Sequence, residues 1–281
     1  MTALESWTCP TCGRTVPTPF CAQCGERPRD PRDLTLLGLG LALVHTLTSV
    51  DGKALSTLRR LFTRPGELSA AYVRGQRVGV IAPFPLFLLA NVAFFGLASL
   101  THAGIFSATL ESHLTHQDWS EFAQRLVARR LEALHTTLPE YAPLFDRAGA
   151  LHAKSLWILM VLPFTLLVWL VFRRGGKPFV AHWVFTLHLF AFLLLLFCVW
   201  LAIVGLDELR GGAGLDSARM DNVLTVVNLG ASAAYLFLAV GTFYGARGRA
   251  RVLEALGLSL AIGVLPIAYR FLVFVITLYT T

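Results

Sequence analysis

Charged residues are scarce in this sequence. Asp, Glu, Lys and Arg together make up 15% of the 281 residues, whereas soluble domains carry roughly 25%. Hydrophobic residues make up 55%, and the mean hydropathy is +0.62. Too few polar side chains are available to cover a water-facing surface, so this composition excludes an ordinary soluble globule and predicts a protein embedded in lipid.

Acidic residues are the scarcer of the charged types, which leaves a net charge of +7. The basic residues stand beside apolar runs, and no basic stripe interleaved with aromatic residues occurs elsewhere. That arrangement is typical of membrane topology and not of a nucleic-acid interface, so we expect no nucleic-acid partner. The first ten residues have neither a basic start nor an apolar core, so we expect no signal peptide.

Cysteine is rare outside one cluster. Four of the five cysteines form the pattern CxxC-x8-CxxC, with a glycine after each pair: Cys9, Cys12, Cys21 and Cys24. Four thiolates form the tetrahedral ligand set that zinc prefers, and iron in a rubredoxin-like site is an alternative. Two disulfides are a further alternative, but they require an oxidising compartment. We predict a closed, structural Zn²⁺ ribbon, with Trp7, Val16 and Phe20 as its few apolar residues and metal binding as its main source of folding energy.

The fifth cysteine, Cys198, stands alone in an apolar segment and is predicted to be an ordinary buried thiol. The charged, proline-rich stretch 26–33 after the cluster is interpreted as a linker.

Arginines are concentrated just before the first long apolar run, at Arg59, Arg60, Arg64, Arg74 and Arg77. Arginines beside a hydrophobic segment stay in the cytosol, where anionic lipids attract them. We therefore predict an interfacial basic helical hairpin that docks lipid or a protein partner. The uncharged stretch 34–50 is short for a span, and crossing there would place these arginines outside, so we favour an interfacial helix. Leu55, Leu58, Leu61 and Phe62 should continue an amphipathic helix. Arg64-Pro65-Gly66 should end that helix before a second helix over 67–74 that Gly75 closes.

Five later segments have the length and apolarity of membrane spans: 82–101, 155–172, 182–205, 222–245 and 252–279. The loops after the second and fourth spans carry only basic charges, whereas loop 206–221 is mainly acidic. This alternation predicts a cytosolic N-terminus and an external C-terminus. The long loop 102–154 is then external, with an amphipathic helix near 117–138 on the outer interface or capping the bundle.

The sequence therefore predicts an all-α membrane protein, a five-helix transmembrane bundle with a small N-terminal zinc ribbon. We divide it into a cytosolic ribbon over 1–28, a linker and interfacial basic hairpin over 29–79, and the five-span bundle over 80–281. The expected location is the cytoplasmic (inner) membrane.

Polar residues within the predicted spans are few. His188 lies about two turns into the third span, and Asn228 and Arg270 on other spans could join it in an intramembrane polar site. His182 and His188 are about 240° apart on a helix, so they cannot bind one metal together, and His182 should be interfacial. In the external loop, His102, His113 and His116 near Glu111 and Asp118 are better explained as a solvated group than as a weak metal site.

The stretch 57–88 contains a distinctive set of residues: Thr57, Leu58, Arg64, Pro65, Gly66, Tyr72, Gly75, Arg77 and Pro83. With these residues the stretch resembles the bacterial domain-of-unknown-function 3667 family. Members commonly carry an N-terminal CxxC ribbon and a segment similar to EHLVFxLHxHxF; here residues 181–190 are AHWVFTLHLF, with Ala181 in place of the acid and Phe190 in place of the last histidine. The resemblance implies a multi-span bacterial membrane protein and brings no catalytic residues.

Three functions are compatible with this pattern. The first is a non-enzymatic adaptor whose ribbon and basic hairpin dock a cytosolic partner or anionic lipid, since a closed metal site has no open position for chemistry. The second is a small transporter or channel around His188, Asn228 and Arg270. The third is a membrane enzyme acting on lipid at loop 102–154, which lacks a supporting constellation. We expect the first, and therefore no enzyme activity; the oligomeric state is not indicated.

Overall fold

The computed structural model of this chain describes residues 6–28, 53–100, 108–212 and 218–281. The stretch 34–50, for which we favoured an interfacial helix, lies outside the described residues. The chain forms two compact units. The first comprises Met1–Phe94 and Phe164–Ser259, and the second comprises Phe95–Pro163 and Leu260–Thr281.

The N-terminal part is a two-stranded ribbon. Strand β1 (Trp7–Thr8) pairs antiparallel with β2 (Thr15–Val16). The six residues between the strands, 9–14, contain the first CxxC pair and turn the chain so that the strands lie side by side. Such short strands cannot support a fold by themselves, so the residues between and after them have to supply the remaining stabilisation.

Helices form the rest of the described structure. Two short helices precede the long apolar ones: α1 (Lys53–Thr63) and α2 (Glu67–Arg74). The others are α3 (Pro83–Leu100), α4 (Leu110–Thr115), α5 (Ser120–Leu134), α6 (Leu138–Leu156), α7 (Val161–Phe172), α8 (Phe179–Leu209), α9 (Ala218–Tyr244) and α10 (Gly248–Thr280). Short 3₁₀ turns, Trp157–Met160 and Arg173–Gly175, flank α7.

Among the residues that the structure describes, five helical segments are long and apolar enough to cross a membrane: Pro83–Leu100, Trp157–Gly175, Phe179–Leu209, Asn222–Tyr244 and Gly248–Thr280. This confirms the predicted all-α class with five candidate spans. The third and fifth segments run to 31 and 33 residues, longer than expected. Each of these helices continues past its apolar stretch into polar residues. Hydropathy alone does not detect such an extension.

The core of the first unit is built around α8. Nearly every residue from Ala181 to Leu194 is buried. Phe190 makes edge contacts with Phe87 of α3 and Phe164 of α7 at 6.4 and 5.5 Å between ring centroids. A helix that is apolar on all sides is buried on all sides, and α8 follows that rule over this part.

The α1–α2 hairpin packs on the same unit through a turn at Arg64-Pro65-Gly66. Gly66 has φ +82, and a Cβ there would lie 2.7 Å from the carbonyl oxygen of Ala239 in α9. Glycine is therefore required twice, for its left-handed backbone and for the close approach of α9. Helix α2 begins at Glu67, so Pro65 lies two residues before the helix and not within it. Gly75 ends α2 with φ 92, as predicted.

The second unit contains most of the predicted external loop, which proves to be largely helical. Helix α5 agrees with the expected amphipathic helix, whereas α4 and α6 were not predicted. These helices pack with the end of α10 around one apolar cluster: Leu110, Ala123, Val127, Tyr141, Phe145, Phe274 and Leu278. The hydroxyl of Tyr141 bonds to Thr281 Oγ1 at 2.6 Å, and that of Tyr269 donates to the Ala153 carbonyl at 2.6 Å.

His113 is part of this core, and its predicted solvated position is wrong. It is 2% exposed, with its ring 4.7 Å from that of Phe274, and Nδ1 accepts a hydrogen bond from Trp119 Nε1 at 3.3 Å. Its loop neighbours Glu111, His116 and Asp118 are exposed, whereas His102 lies outside the described residues. Aromatic residues from distant parts of the chain bury His113, so its local sequence gave no indication of this.

We expect Gly66→Ala to destabilise the first unit by about 2 kcal/mol or more, because left-handed strain and overpacking add together. Thermal unfolding of the purified full chain in detergent measures the loss. Gly257→Ala is the matched control, since nothing lies within 4 Å of its added Cβ. Equal melting temperatures for the two variants would contradict the close approach to α9.

We expect the second unit to lose stability as the pH falls from about 6.5 to about 4. Burial first, and then the positive charge of Arg270, lower the pKa of His113 from its ordinary 6.5 to about 4. The unfolded chain therefore binds the proton more readily across this window, and protonation favours unfolding. Hydrogen exchange of α4–α6 against pH measures the effect. His113→Gln should flatten this dependence, and an unchanged profile in that variant would refute it.

Candidate functional site

The four predicted cysteines come together at one end of the ribbon. Their Sγ atoms all lie within 4.8 Å of one another, with Cys9 and Cys24 at 3.4 Å and Cys12 and Cys21 at 3.5 Å. A tetrahedral site with metal–sulfur bonds of ~2.3 Å places its sulfurs about 3.8 Å apart. The cluster is close to that size, so these four residues could hold a metal ion.

The two CxxCG turns have the same backbone arrangement. In the first, Gly13 has φ 73 and its N–H donates to the Cys9 carbonyl at 2.8 Å. In the second, Gly25 has φ 72 and donates to the Cys21 carbonyl at 2.8 Å. A glycine in the left-handed region lets each turn close tightly and directs both thiols of the pair to the same side. This explains why glycine follows each pair.

The thiols do not ionise alike. Backbone N–H groups of Cys24 and Gln23 stabilise the Cys21 thiolate and lower the pKa of Cys21 to about 6. A backbone hydrogen bond from Glu26 acts to lower the pKa of Cys24, but burial and the neighbouring thiols raise it to about 12. Four crowded thiols cannot all become thiolates without a cation among them, and a bound metal ion supplies that charge.

The apolar part of the ribbon is smaller than predicted. Trp7 and Val16 pack with the cysteines, and the Trp7 indole donates to the Thr18 carbonyl at 2.8 Å. Phe20, assigned to this core from the sequence, is 61% exposed. With only two apolar residues in its core, the ribbon would depend more strongly on a metal ion held by the four cysteines.

Glu26 is the residue that fixes the ribbon to the hairpin. Its side chain is 3% exposed, and one oxygen, Oε2, accepts three hydrogen bonds. The donors are Thr11 Oγ1 at 2.9 Å, the backbone N–H of Arg77 at 3.0 Å and that of Val78 at 3.3 Å. A buried carboxylate is tolerated only when donors compensate its lost hydration. Its assignment to a linker was therefore wrong.

A second contact joins the same two elements. Gln76 Nε2 donates to the Pro10 carbonyl, inside the first CxxC turn, at 2.6 Å. The segment from Gln76 to Val78 thus bonds to both CxxC turns, to the first directly and to the second through Glu26. The four-cysteine centre and the hairpin form one connected site.

The hairpin is also fixed to the start of α3. Thr57 Oγ1 accepts from the Ile81 N–H at 2.9 Å and donates to the Lys53 carbonyl at 2.7 Å. Ser56 Oγ donates to the Gly79 carbonyl at 2.6 Å. These bonds hold α1 beside Gly79 and Ile81, which lie just before the first candidate span.

The five predicted docking arginines fall into two groups. Arg59, Arg60, Arg64 and Arg74 are exposed, and Arg64 forms an exposed ion pair with Glu67 at 3.4 Å. Arg77 is half-buried, with its guanidinium 4.8 Å above the ring of Tyr72. Arg77 therefore belongs to the hairpin's internal packing, and the other four remain available at its surface.

The predicted intramembrane residues have separate surroundings. His188 is 3% exposed, and its Nδ1 lies 2.9 Å from Ser69 Oγ, so it joins α8 to α2. Asn228 is half-buried on α9, and its Oδ1 has no hydrogen-bond partner among the described residues. Arg270 belongs to the second unit, where its charge acts on His113. The observed partner of His188 is thus Ser69, which the sequence did not indicate.

His182, which we expected at the membrane interface, is buried within the protein. It is 0% exposed, Nδ1 lies 2.8 Å from the Tyr244 hydroxyl, and the two rings stack. Cys198 is half-buried, less enclosed than expected. The end of α9 covers His182. The position of His182 beside a basic loop in the sequence gave no indication of this burial.

The class that emerges is an all-α protein with five candidate membrane-spanning helices and an N-terminal four-cysteine centre. Residues 51–95 match the family model described as protein of unknown function (DUF3667). The resemblance stated from the sequence is confirmed over this segment, which covers the α1–α2 hairpin and much of α3. No curated protein and no solved structure matches the chain.

We expect Glu26→Gln to weaken metal retention about tenfold. Losing charge-assisted bonds costs about 1.5 kcal/mol or more, and metal binding is coupled to the fold that these bonds support. Chelator competition on the metal-loaded full chain measures the apparent affinity.

Two variants control for charge. Glu67→Gln removes the same charge from an exposed pair and should leave metal affinity unchanged. Gln76→Ala leaves the charge unaltered but removes the bond to Pro10, so it should weaken affinity by a few-fold. Unaltered affinity in both Glu26→Gln and Gln76→Ala would show that the hairpin does not support the metal centre.

Proposed function

We propose that this chain is a non-enzymatic adaptor of the bacterial inner membrane, whose zinc ribbon and basic hairpin dock a cytosolic protein partner or anionic lipid. The observation that carries the proposal is the bonding of Glu26 Oε2 to Thr11, Arg77 and Val78. These bonds join the metal centre to the arginine-bearing hairpin, so both present one surface at a fixed spacing. A rigid surface loses less entropy when it binds a partner.

Zinc is the metal we assign to the centre. All four ligands are cysteine sulfurs, which fill every position of a tetrahedral ion and leave none for substrate or water. One cluster of four mutually close sulfurs fits a single ion better than two separate disulfides. A closed site of this type stabilises a fold, which supports an adaptor over an enzyme.

The orientation we propose places the ribbon in the cytosol and the C-terminus outside. Basic residues stand on the hairpin and at both short connections within the first unit, after α7 and before α10. Positive charge concentrated in short loops is typical of the cytoplasmic side. The reducing cytosol also keeps cysteines available as metal ligands.

Phe20 is the best candidate for a partner contact on the ribbon. It is 61% exposed, and the backbone around it is fixed, since Thr18 Oγ1 donates to the Phe20 carbonyl at 2.7 Å. Exposed aromatic side chains on rigid backbone are typical anchors of protein interfaces. Arg14 on the same ribbon is also exposed.

Site-specific photocrosslinking in living bacteria tests this function. A photoreactive phenylalanine at position 20 should give a discrete protein adduct, because Phe20 contacts the partner. The same probe at Leu151 in α6, which is 62% exposed, should not give that adduct. Cys12→Ser should abolish the adduct at position 20, because the ribbon unfolds without its metal. An absent adduct, or the same adduct in the Cys12→Ser variant, would refute the docking of a protein partner through the ribbon.

A further inference from the structure

An arginine-lined groove runs along the outer face of α1. Its volume is about 720 Å³, and it is lined by Leu55, Ser56, Arg59, Arg60, Thr63 and Arg64. We propose that this groove binds the phosphate-bearing headgroup of an anionic phospholipid. The proposal deepens the proposed function, since it assigns the lipid-docking part of that function to one groove and one chemical class.

The charge of the groove is largely uncompensated. Among the described residues, no carboxylate pairs with Arg59 or Arg60, and Arg64 has only its exposed contact with Glu67 at 3.4 Å. Arg251 in α10 is different, because its Nε donates to the Phe237 carbonyl at 2.6 Å and its guanidinium lies 3.9 Å above that ring. The groove arginines, unlike Arg251, are therefore available to an external anion.

Guanidinium groups match the chemistry of a phosphodiester. Each presents a planar set of N–H donors that can bond two phosphate oxygens at once. Three such groups within two turns of one helix surround a single anion with more donors than one surface arginine offers. Arg64 follows the last residue of α1, and its backbone N–H donates to the Arg60 carbonyl at 2.9 Å, so these two arginines lie one turn apart at the end of the helix.

The position of the groove indicates a lipid as the source of the phosphate. Bonds from Ser56 to Gly79 and from Ile81 to Thr57 hold α1 beside the residues just before α3. Helix α3 is the first candidate span and begins at Pro83. Where a span begins, the surrounding phosphates are those of lipid headgroups, and a free anion is not required.

An apolar side chain completes the groove. Leu55 is 78% exposed and lies one turn before Arg59 on α1. Phe62 on the same helix packs partly on Phe192 of α8, with 5.2 Å between ring centroids, and is 40% exposed. A helix that presents both guanidinium groups and an exposed leucine is typical of the membrane interface, where acyl chains cover the apolar side chain. An exposed leucine would contribute nothing to the binding of a free phosphate.

Native mass spectrometry of the detergent-solubilised full chain tests the proposal. The probes are phosphatidylglycerol, phosphatidylcholine and inorganic phosphate. We expect phosphatidylglycerol to bind the wild-type chain about tenfold more tightly than phosphatidylcholine. The variant R59Q/R60Q/R64Q should reduce that preference to about twofold or less. The control R173Q/R174Q/R249Q, which removes three exposed charges outside the groove, should retain it.

Three outcomes would overturn the proposal. Equal loss of preference in both triple variants would mean that general charge, and not the groove, attracts the lipid. An undiminished preference in R59K/R60K/R64K, which retains charge and is the milder substitution, would exclude guanidinium recognition. Displacement of phosphatidylglycerol by an equal concentration of inorganic phosphate would make this a free-phosphate site. None of these experiments uses a protein partner, so the crosslinking test at Phe20 stands or fails separately.

Discussion

The buried carboxylate of Glu26 is the contact on which the site depends. A carboxylate removed from water is strongly unfavourable unless donors replace its hydration, and here two backbone N–H groups and a hydroxyl do so. The donors come from the ribbon and from the residues just before α3, so Glu26 is satisfied only when both are in place. Glu26 lies two residues after Cys24 in the chain, so its bonds are linked to the geometry of the four-cysteine centre.

From that contact a continuous series of interactions reaches the helices of the first unit. Ser56 and Thr57 tie α1 to the residues before α3. Gly66 lets α9 approach the turn between α1 and α2, and Ser69 bonds to His188 in the buried half of α8. These contacts give physical roles to the polar and glycine positions of the segment that matches the family model. A segment held at so many points can present its arginines in a fixed arrangement without binding anything else first.

Local chemistry made part of this predictable. The spacing of the CxxC pairs and the glycine after each pair predicted the cysteine cluster. The lengths of the apolar segments predicted the five candidate spans. Helix α6 could also have been found, because Thr137 and Glu140 form a capping box that the sequence spells out. Other features depend on residues distant in the chain. Glu26 meets Arg77 across 51 positions, and the surroundings of His113, His182 and His188 come from other helices. Periodicity and spacing carry no information about such partners.

The most direct test is hydrogen exchange at the backbone amides of Arg77 and Val78 in the full chain, with metal bound and after chelation. If the metal centre holds Glu26 in place, chelation should accelerate exchange at these two amides by about tenfold or more, while amides in the buried half of α8 stay protected. Restoring the metal should restore protection. Unchanged exchange at Arg77 and Val78 after metal removal would contradict the account, because the ribbon and the hairpin would then be independent.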